Sequence, residues 1–475
     1  MKHSKVTLFS IVWYFISNVF PALSAFFIFT FASHSVSAAE MGSITLCTTL
    51  ISILVNLSAV GFSDSIVNKR YIKNVHINVI FTLILSLSTL LYIISVLLVY
   101  FLKDLGLSPL VVKIYPILAL RLLLDSITFV PLAILSRRMD FKRIAIRTIF
   151  CSCLSVLAAV PALAYGAGFI AIILSQLATS FASFSVLWYS ANYRPKILFS
   201  RRIIAPFFNF GINNSLTRLV NSLNLDNILL GALGSLYTLG IYSFGKRILS
   251  VFTDIISSAI SNVSFPVYSS LNNNNMESLR EVYLRTVFIS VLISMPVFTG
   301  LILISKTLIP TVFGAHWISA VPTVNFFFVF GFLSCIGSLQ LSLIKAKGNT
   351  AWIFRYQMFQ QLTTACITAV FAKQGAEVVI MLIVIKTYIT WPYTIFYISK
   401  LLDVSVWKYF LILLKPLLPL SIMVLGFFIF SKLSSFTSSL LYVFFQSIVC
   451  AITYSFCSYL FFKRDVLLLV KAFKR

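Results

Sequence analysis

Acidic residues are scarce in this chain: 12 Asp and Glu stand against 37 Lys and Arg in 475 residues. That scarcity argues against a cavity built to hold cations, which would want carboxylates on its walls. Histidine is scarcer still, with four in all. His3, His34, His76 and His316 fall at a terminus or in loops, without His-x-x-x-His spacing or a carboxylate partner, so no metal site is expected. The seven cysteines lie mostly in apolar stretches, and Cys151 and Cys153 form C-x-C rather than C-x-x-C. An odd, scattered set offers no disulfide framework; free thiols packing as small hydrophobes are expected. No G-x-x-x-x-G-K-[ST] occurs, which excludes a nucleotide-driven motor of the chain's own. Long polar segments are missing as well. The longest are Asn192–Pro206 and Tyr268–Arg280, the latter with the run Asn272–Asn275, and neither could form a soluble catalytic domain. No enzyme activity and no cofactor are expected.

What the chain has in excess is apolar length. Hydrophobic residues make up 59% of it and charged residues 10%, the composition of a bilayer protein. About 14 apolar spans are predicted, at 6–32, 41–67, 76–102, 111–135, 144–165, 168–190, 206–232, 237–265, 283–305, 319–344, 352–372, 376–399, 408–430 and 436–461. All should be helices, the only open-chain form that satisfies its backbone within hydrocarbon. The first span, from Val6 to Ala32, is preceded by Lys2 and Lys5 and followed by Ser37-Ala38-Ala39, like a secretory signal. It is much longer than a signal's apolar region, however, and reads as an uncleaved span bent at Pro21.

The loops between spans alternate in charge. The rich ones hold Lys2/Lys5, Lys69/Arg70/Lys73, Arg137/Arg138/Lys142/Arg143/Arg147 and Arg194/Lys196/Arg201/Arg202. They continue with Arg280/Arg285, Lys345/Lys347/Arg355, Lys400/Lys408/Lys415 and the tail from Lys463 to Arg475, 27 of the 37 basic residues. The intervening loops hold five: Lys103, Lys113, Lys306, Lys373 and Lys432. Lys and Arg collect on the cytoplasmic side, so the rich loops and both termini are expected in the cytoplasm. The net charge of +25 is then a topology signal with attraction to anionic headgroups as its by-product, and nucleic acid is not an expected partner.

Charges inside the spans are few: Arg121, Asp125, Arg218, Asp226, Lys246, Arg247, Asp254 and Lys386, with Asp64 near a helix end. Each is expensive in hydrocarbon and should face a partner or a wet cavity. Arg121 and Asp125, four apart, share a helix face and form either a structural ion pair or a cavity-facing arginine tuned by its acid. Asn214, Arg218 and Asn221 also share a face, which lines either a cavity or an interhelical contact. A guanidinium suits phosphate oxygens and amides suit sugar hydroxyls, so these three are the leading substrate contacts. Lys246, Arg247 and Asp254 begin the eighth span and could equally snorkel to water. Lys386, alone in its span, needs an acid or a cavity and is a further candidate. Asp125, Asp226 and Asp254 are the intramembrane carboxylates able to carry a coupling proton or sodium ion.

A weak internal repeat is visible. Glu40-Met41-Gly42-Ser43-Ile44 opens the second span and Leu239-Gly240-Ile241-Tyr242-Ser243 opens the eighth, with Gly42 and Gly240 in corresponding places. Such repeats are common in transporters whose halves rock about a central site.

Three strings then resemble a family. Ile134-Leu-Ser-Arg-Arg-Met-Asp-Phe-Lys-Arg-Ile144 looks like the junction of the fourth and fifth helices in bacterial polysaccharide exporters and O-antigen flippases of the Wzx type. Asn224-Leu-Asp-Asn-Ile-Leu-Leu-Gly231 with Leu239-Gly-Ile-Tyr-Ser-Phe-Gly-Lys-Arg247 is similar to that family's seventh and eighth helices. Phe313-Gly-Ala-His-Trp-Ile-Ser-Ala-Val-Pro322 resembles its loop before the tenth. The resemblance implies the all-helical fold of the multidrug/oligosaccharidyl-lipid/polysaccharide exporter superfamily, with two six-helix lobes around a central cavity and two extra C-terminal helices. The lobes would be 1–190 and 206–400, joined by a cytoplasmic linker at 191–205 and followed by 401–475. It also implies the activity: a flippase in the bacterial inner membrane, moving an undecaprenyl-diphosphate-linked oligosaccharide from the cytoplasmic to the periplasmic leaflet. Expected partners are that lipid-linked oligosaccharide, membrane lipids, and the polymerase and other proteins of polysaccharide assembly. Two alternatives stand beside it. A drug or cation exporter of the same superfamily would want acid, but the first span has none. A membrane-embedded polymerase or glycosyltransferase would want a large periplasmic loop, which this chain lacks. The lipid II flippase is a close relative whose arginines in the first two spans are absent here.

Overall fold

The computed structural model describes residues 20–60, 66–67, 71–104, 107–138, 140–200, 223–271, 276–433 and 440–473. Fifteen helices run through them, and no strand occurs among them. The first six are α1 (Phe20–Ser33), α2 (Ala38–Val55), α3 (Asn74–Lys103), α4 (Pro109–Arg137), α5 (Phe141–Ala164) and α6 (Gly168–Ala191). After them come α7 (Leu225–Leu233), α8 (Leu236–Leu271), α9 (Met276–Phe313), α10 (Val321–Ala346), α11 (Thr350–Phe371) and α12 (Ala376–Leu402). The chain closes with α13 (Val406–Leu414), α14 (Leu417–Leu433) and α15 (Leu440–Phe473). Ten stretches among the described residues are long and apolar enough to cross a membrane. This is a multi-span membrane protein.

Local chemistry sets where the helices start. Ser37 and Glu40 form a reciprocal capping box at α2, with Ser37 N donating to Glu40 Oε2 at 2.8 Å and Glu40 N to Ser37 Oγ at 3.3 Å. Pro109 occupies the first position of α4, where its missing N–H costs nothing. Asp140 caps α5 by accepting from Arg143 N at 3.2 Å. Gly314 and Gly375 turn the chain at φ near 109° and 108°, a region that residues with a Cβ avoid.

Contacts divide the chain into two compact units, Met1–Ser243 and Phe244–Arg475. In the first, α4 lies against α2, α3 and α6, while α5 and α6 form a tight hairpin. Leu118, Ala119, Leu122, Val130 and Leu135 of α4 are fully buried. α7 packs on α2. The start of α8 crosses the start of α2 at Gly42 and Gly240, so closely that a Cβ on Gly42 would overlap Leu236 O and one on Gly240 would overlap Ala38 O. The two glycines expected at matching repeat positions thus meet. In the second unit α9 contacts α10, α13, α14 and α15, and α10 packs on α12. Its core gathers Tyr268, Tyr283, Ile336, Leu339, Ile395 and Tyr409.

Several predicted spans differ from the helices observed. In the seventh, expected unbroken over 206–232, residues 206–222 lie outside the described residues, and α7 begins only after Asn224, whose backbone is left-handed (φ 40°). The thirteenth is split in two, and Pro416, which has no N–H to continue the ladder, sits at the break. The basic tail from Lys463 is not a loose extension: α15 runs on to Phe473 through a kink at Phe462. α8 and α9 reach beyond their apolar runs, to 36 and 38 residues. The contact division falls inside α8, later than the basic linker at 191–205, because α7 and the first turns of α8 belong to the α2 side.

The arginines of the α4–α5 turn have local duties. Arg138 Nη1 donates to Ala191 O at 3.3 Å and Arg143 Nη1 to Ser190 O at 3.0 Å, satisfying end carbonyls of α6. Beyond Asn192 the extended segment lies along α3. Tyr193 Oη donates to Asn78 Oδ1 at 2.7 Å and Leu198 N to Thr82 Oγ1 at 3.0 Å. Burial pushes the Tyr193 hydroxyl well above its ordinary pKa.

Candidate intramembrane polar site

A polar cluster within the apolar spans of the first unit lies among α4, α5 and α6. Arg121 and Asp125, one helical turn apart on α4, meet at 3.4 Å with about a quarter of each side chain exposed. The same guanidinium reaches α6, with Nη1 donating to Gln176 Oε1 at 2.5 Å and Nε to Ser180 Oγ at 3.2 Å. Gln176, Ser180 and Ser183 follow each other at spacings of four and three, so α6 turns one polar face to its neighbours. From α5, Arg147 Nη1 donates to Ser183 Oγ at 3.2 Å. Its Nε is buried with no hydrogen-bond partner among the described residues. Arg121 pairs with Asp125, while Arg147 makes no ion pair among the described residues, so the cluster of two guanidiniums and one carboxylate carries a formal charge of +1.

Asn214, Arg218 and Asn221 lie outside the described residues. Asp226, on α7, is buried and accepts from Tyr242 Oη at 2.8 Å. Its neighbour Asn227 donates to Thr49 Oγ1 of α2 at 3.2 Å. Asp254 is exposed and forms no ion pair among the described residues. Lys386 is half-buried on α12, with its ammonium on Gln360 Oε1 (2.6 Å), Thr364 Oγ1 (2.9 Å) and Gln360 O (3.3 Å). Three donors meet three neutral acceptors. An anion could reach Lys386 only by displacing one of them.

Arg147, Gln176, Ser180, Gln360 and Thr364 were not singled out from the sequence. Arg147 was counted with its loop, although the Asp140 cap starts the helix six residues earlier. The 176/180/183 spacing was the readable signal on α6.

The second unit also holds an apolar cavity of about 520 Å³, lined by Phe252, Pro296, Gly300, Met423, Cys450 and Tyr454 among others. Proline removes the hydrogen bond that the carbonyl four residues earlier would accept. For Pro296 that carbonyl is Leu292, and Tyr454 Oη of α15 donates to it at 2.9 Å.

Comparison with known proteins decides the family. The model of the polysaccharide biosynthesis protein family matches residues 35–322, well over half of the chain. This chain belongs to that family. Among the relatives of this polysaccharide biosynthesis protein, the teichuronic acid biosynthesis protein TuaB of Bacillus subtilis is 30% identical over 189 residues. That match covers 39% of either chain. The lipopolysaccharide biosynthesis protein WzxC of Escherichia coli is 22% identical over 338 residues, covering 68% of this chain and 66% of WzxC. The chain thus spans about two fifths of the first relative's length and just under two thirds of the second's. The Wzx-type resemblance is shown. The polysaccharide biosynthesis protein also has the fold of the lipid II flippase MurJ in its inward closed conformation. The TM-score is 0.75 at 16% identity, over 97% of this chain and all of the other.

Proposed function

We propose that this polysaccharide biosynthesis protein is a flippase. Its substrate would be an oligosaccharide on undecaprenyl diphosphate, an O-antigen or other surface polysaccharide unit. It carries this from the cytoplasmic to the periplasmic leaflet by alternating access. The observation that carries the reading is the Arg121–Asp125–Arg147 cluster. Arg121 pairs with Asp125 while Arg147 has no carboxylate partner among the described residues, and a charged group at the centre of a span costs about 2.5–3.5 kcal/mol on insertion scales. A diphosphate supplies the missing charge and matches the planar fork of arginine. Gln176, Ser180 and Ser183 offer donors and acceptors of the kind sugar hydroxyls use. The apolar cavity lined by Pro296 and Tyr454 suits part of a polyprenyl chain.

Arg218, Asn214 and Asn221 form a second anion and sugar contact in this reading. Lys386 is a further anion contact in this reading, once an anion takes the place of the Gln360 side chain. Asp125 is the carboxylate best placed to carry a coupling proton or sodium ion, because it belongs to the cluster that would hold the diphosphate, with Asp226, held by Tyr242, and Asp254 as the other candidates. Complementation of a strain lacking the protein, reading surface polysaccharide and membrane abundance together, tests the proposal. Arg121→Ala should abolish export at unchanged abundance, and Arg121→Lys should restore part of it. Recovery by uncharged Arg121→Gln would instead mark a packing role.

A further inference from the structure

The second unit carries a basic pocket that the transport reading does not use. It lies between the first turns of α9 and α13, with a volume of about 410 Å³. Arg280, Arg285, Lys408 and Lys415 line it over a floor that includes Leu284, Phe288 and Ile412. Two of the four cations are already engaged. Arg280 Nε donates to Leu402 O at 2.9 Å and its Nη2 lies 3.4 Å from Asp403, while Arg285 holds Glu281 at 2.7 Å. Glu277 is the other acid on the rim. The lysines have no carboxylate: Lys415 Nζ sits over the Phe288 ring at 5.7 Å, and Lys408 makes no ion pair among the described residues.

Depth follows from length. At 1.5 Å per residue the 38-residue α9 spans about 57 Å, against a hydrocarbon core of roughly 30 Å. Its charged turns, Glu277 to Arg285, must therefore lie outside the hydrocarbon, at headgroup level. Exposed apolar side chains accompany the two lysines along α13 and α14, with Leu411, Leu414 and Leu418 at 44%, 49% and 52% exposure. A ligand with an anionic head and hydrocarbon chains fits both features.

We propose that this pocket holds the phosphodiester headgroup of an anionic glycerophospholipid from the bilayer, with Lys408 and Lys415 as its principal contacts. Basic pockets between spanning helices at the interface select such headgroups by charge, and an apolar floor seats the glycerol end. The site is distinct from the transported substrate and does not depend on what that substrate is.

Native mass spectrometry of the purified full chain, exposed to dioleoyl phosphatidylglycerol, tests it. One phosphatidylglycerol should be retained in preference to dioleoyl phosphatidylcholine. Lys408→Gln/Lys415→Gln should lose about thirtyfold in affinity, the amount two lysines near an anionic headgroup supply. Lys408→Arg/Lys415→Arg should retain binding. Both lysines are exposed, so these changes leave the core untouched; should the double variant fail to purify, Lys415→Gln alone is read against a Lys400→Gln control. Equal retention of phosphatidylcholine, or unchanged affinity in the Gln variant, overturns the proposal. So does undecaprenyl phosphate outcompeting phosphatidylglycerol, which would assign the pocket to the transported lipid.

Discussion

Arg121 and Arg147 are both held by neutral partners on α6, and Arg121 alone pairs with Asp125, which decides how their variants should behave. Arg147→Ala removes the hydrogen bond to Ser183 and one of the two positive charges. Asp125 then keeps Arg121, so folding should survive while export falls more than tenfold, checked by surface polysaccharide against membrane abundance. Asp125→Asn should be milder for binding and should change the response to pH if this carboxylate is the coupling group. A transport rate with the same pH profile in Asp125→Asn and the parent would remove Asp125 from that role. At this scale the sequence was legible for Arg121 and Asp125, whose spacing of four is a fixed helical geometry. It was not legible for Lys386: no rule of spacing along one chain reveals that Gln360 and Thr364 of another helix stand within hydrogen-bond reach.

Among elements, α9 and α15 are joined by a contact that proline creates. Leu292 O is freed by Pro296 and takes its hydrogen bond from Tyr454. Tyr454→Phe should cost about 1–2 kcal/mol, the usual amount for orphaning a buried acceptor. In Pro296→Ala the helix supplies its own donor, so Tyr454→Phe should then cost much less; thermal melting of the four proteins of the cycle measures the coupling. Equal costs in both backgrounds would refute the link. The α2–α8 crossing gives a second test. Gly42→Ala and Gly240→Ala each set a methyl against backbone oxygen, so each should lower the melting temperature by several degrees, whereas Gly337→Ala, whose Cβ has open space, should hold or raise it through the better helix propensity of alanine. The apolar runs located the helices because bilayer burial writes itself into composition. They understated α8 and α9 because helix continues past the hydrocarbon into charged turns that hydropathy does not follow. The break at Pro416 was signalled by its residue type; the left-handed turn at Asn224 carried only the weak preference of asparagine for that conformation.

For the whole molecule, the alternation of 27 against five basic residues between successive loops predicts that the turn at Arg137–Arg143 and the linker at Arg194–Arg202 share the cytoplasmic side with both termini. Reporter fusions at Arg138 and Lys196 should report the same compartment, and a fusion at Lys373 the opposite one. The transport lobes are proposed as 1–190 and 206–400 with α13 to α15 outside the transport core. The cavity between α9 and α15 is then lined by both parts and suits the carrier's chain better than its headgroup. Fold and family were readable from length, hydropathy and a few loop strings, whereas the α4–α5–α6 cluster needed three helices brought together in space. The most direct test of the central claim uses purified protein in liposomes with an undecaprenyl-diphosphate-linked oligosaccharide in one leaflet. Its arrival in the other leaflet is followed by an enzyme that acts only on exposed sugar. The account predicts transfer well above protein-free liposomes, abolished in Arg121→Ala/Arg147→Ala. Transfer no faster than in protein-free liposomes, or undiminished in the double variant, would contradict it.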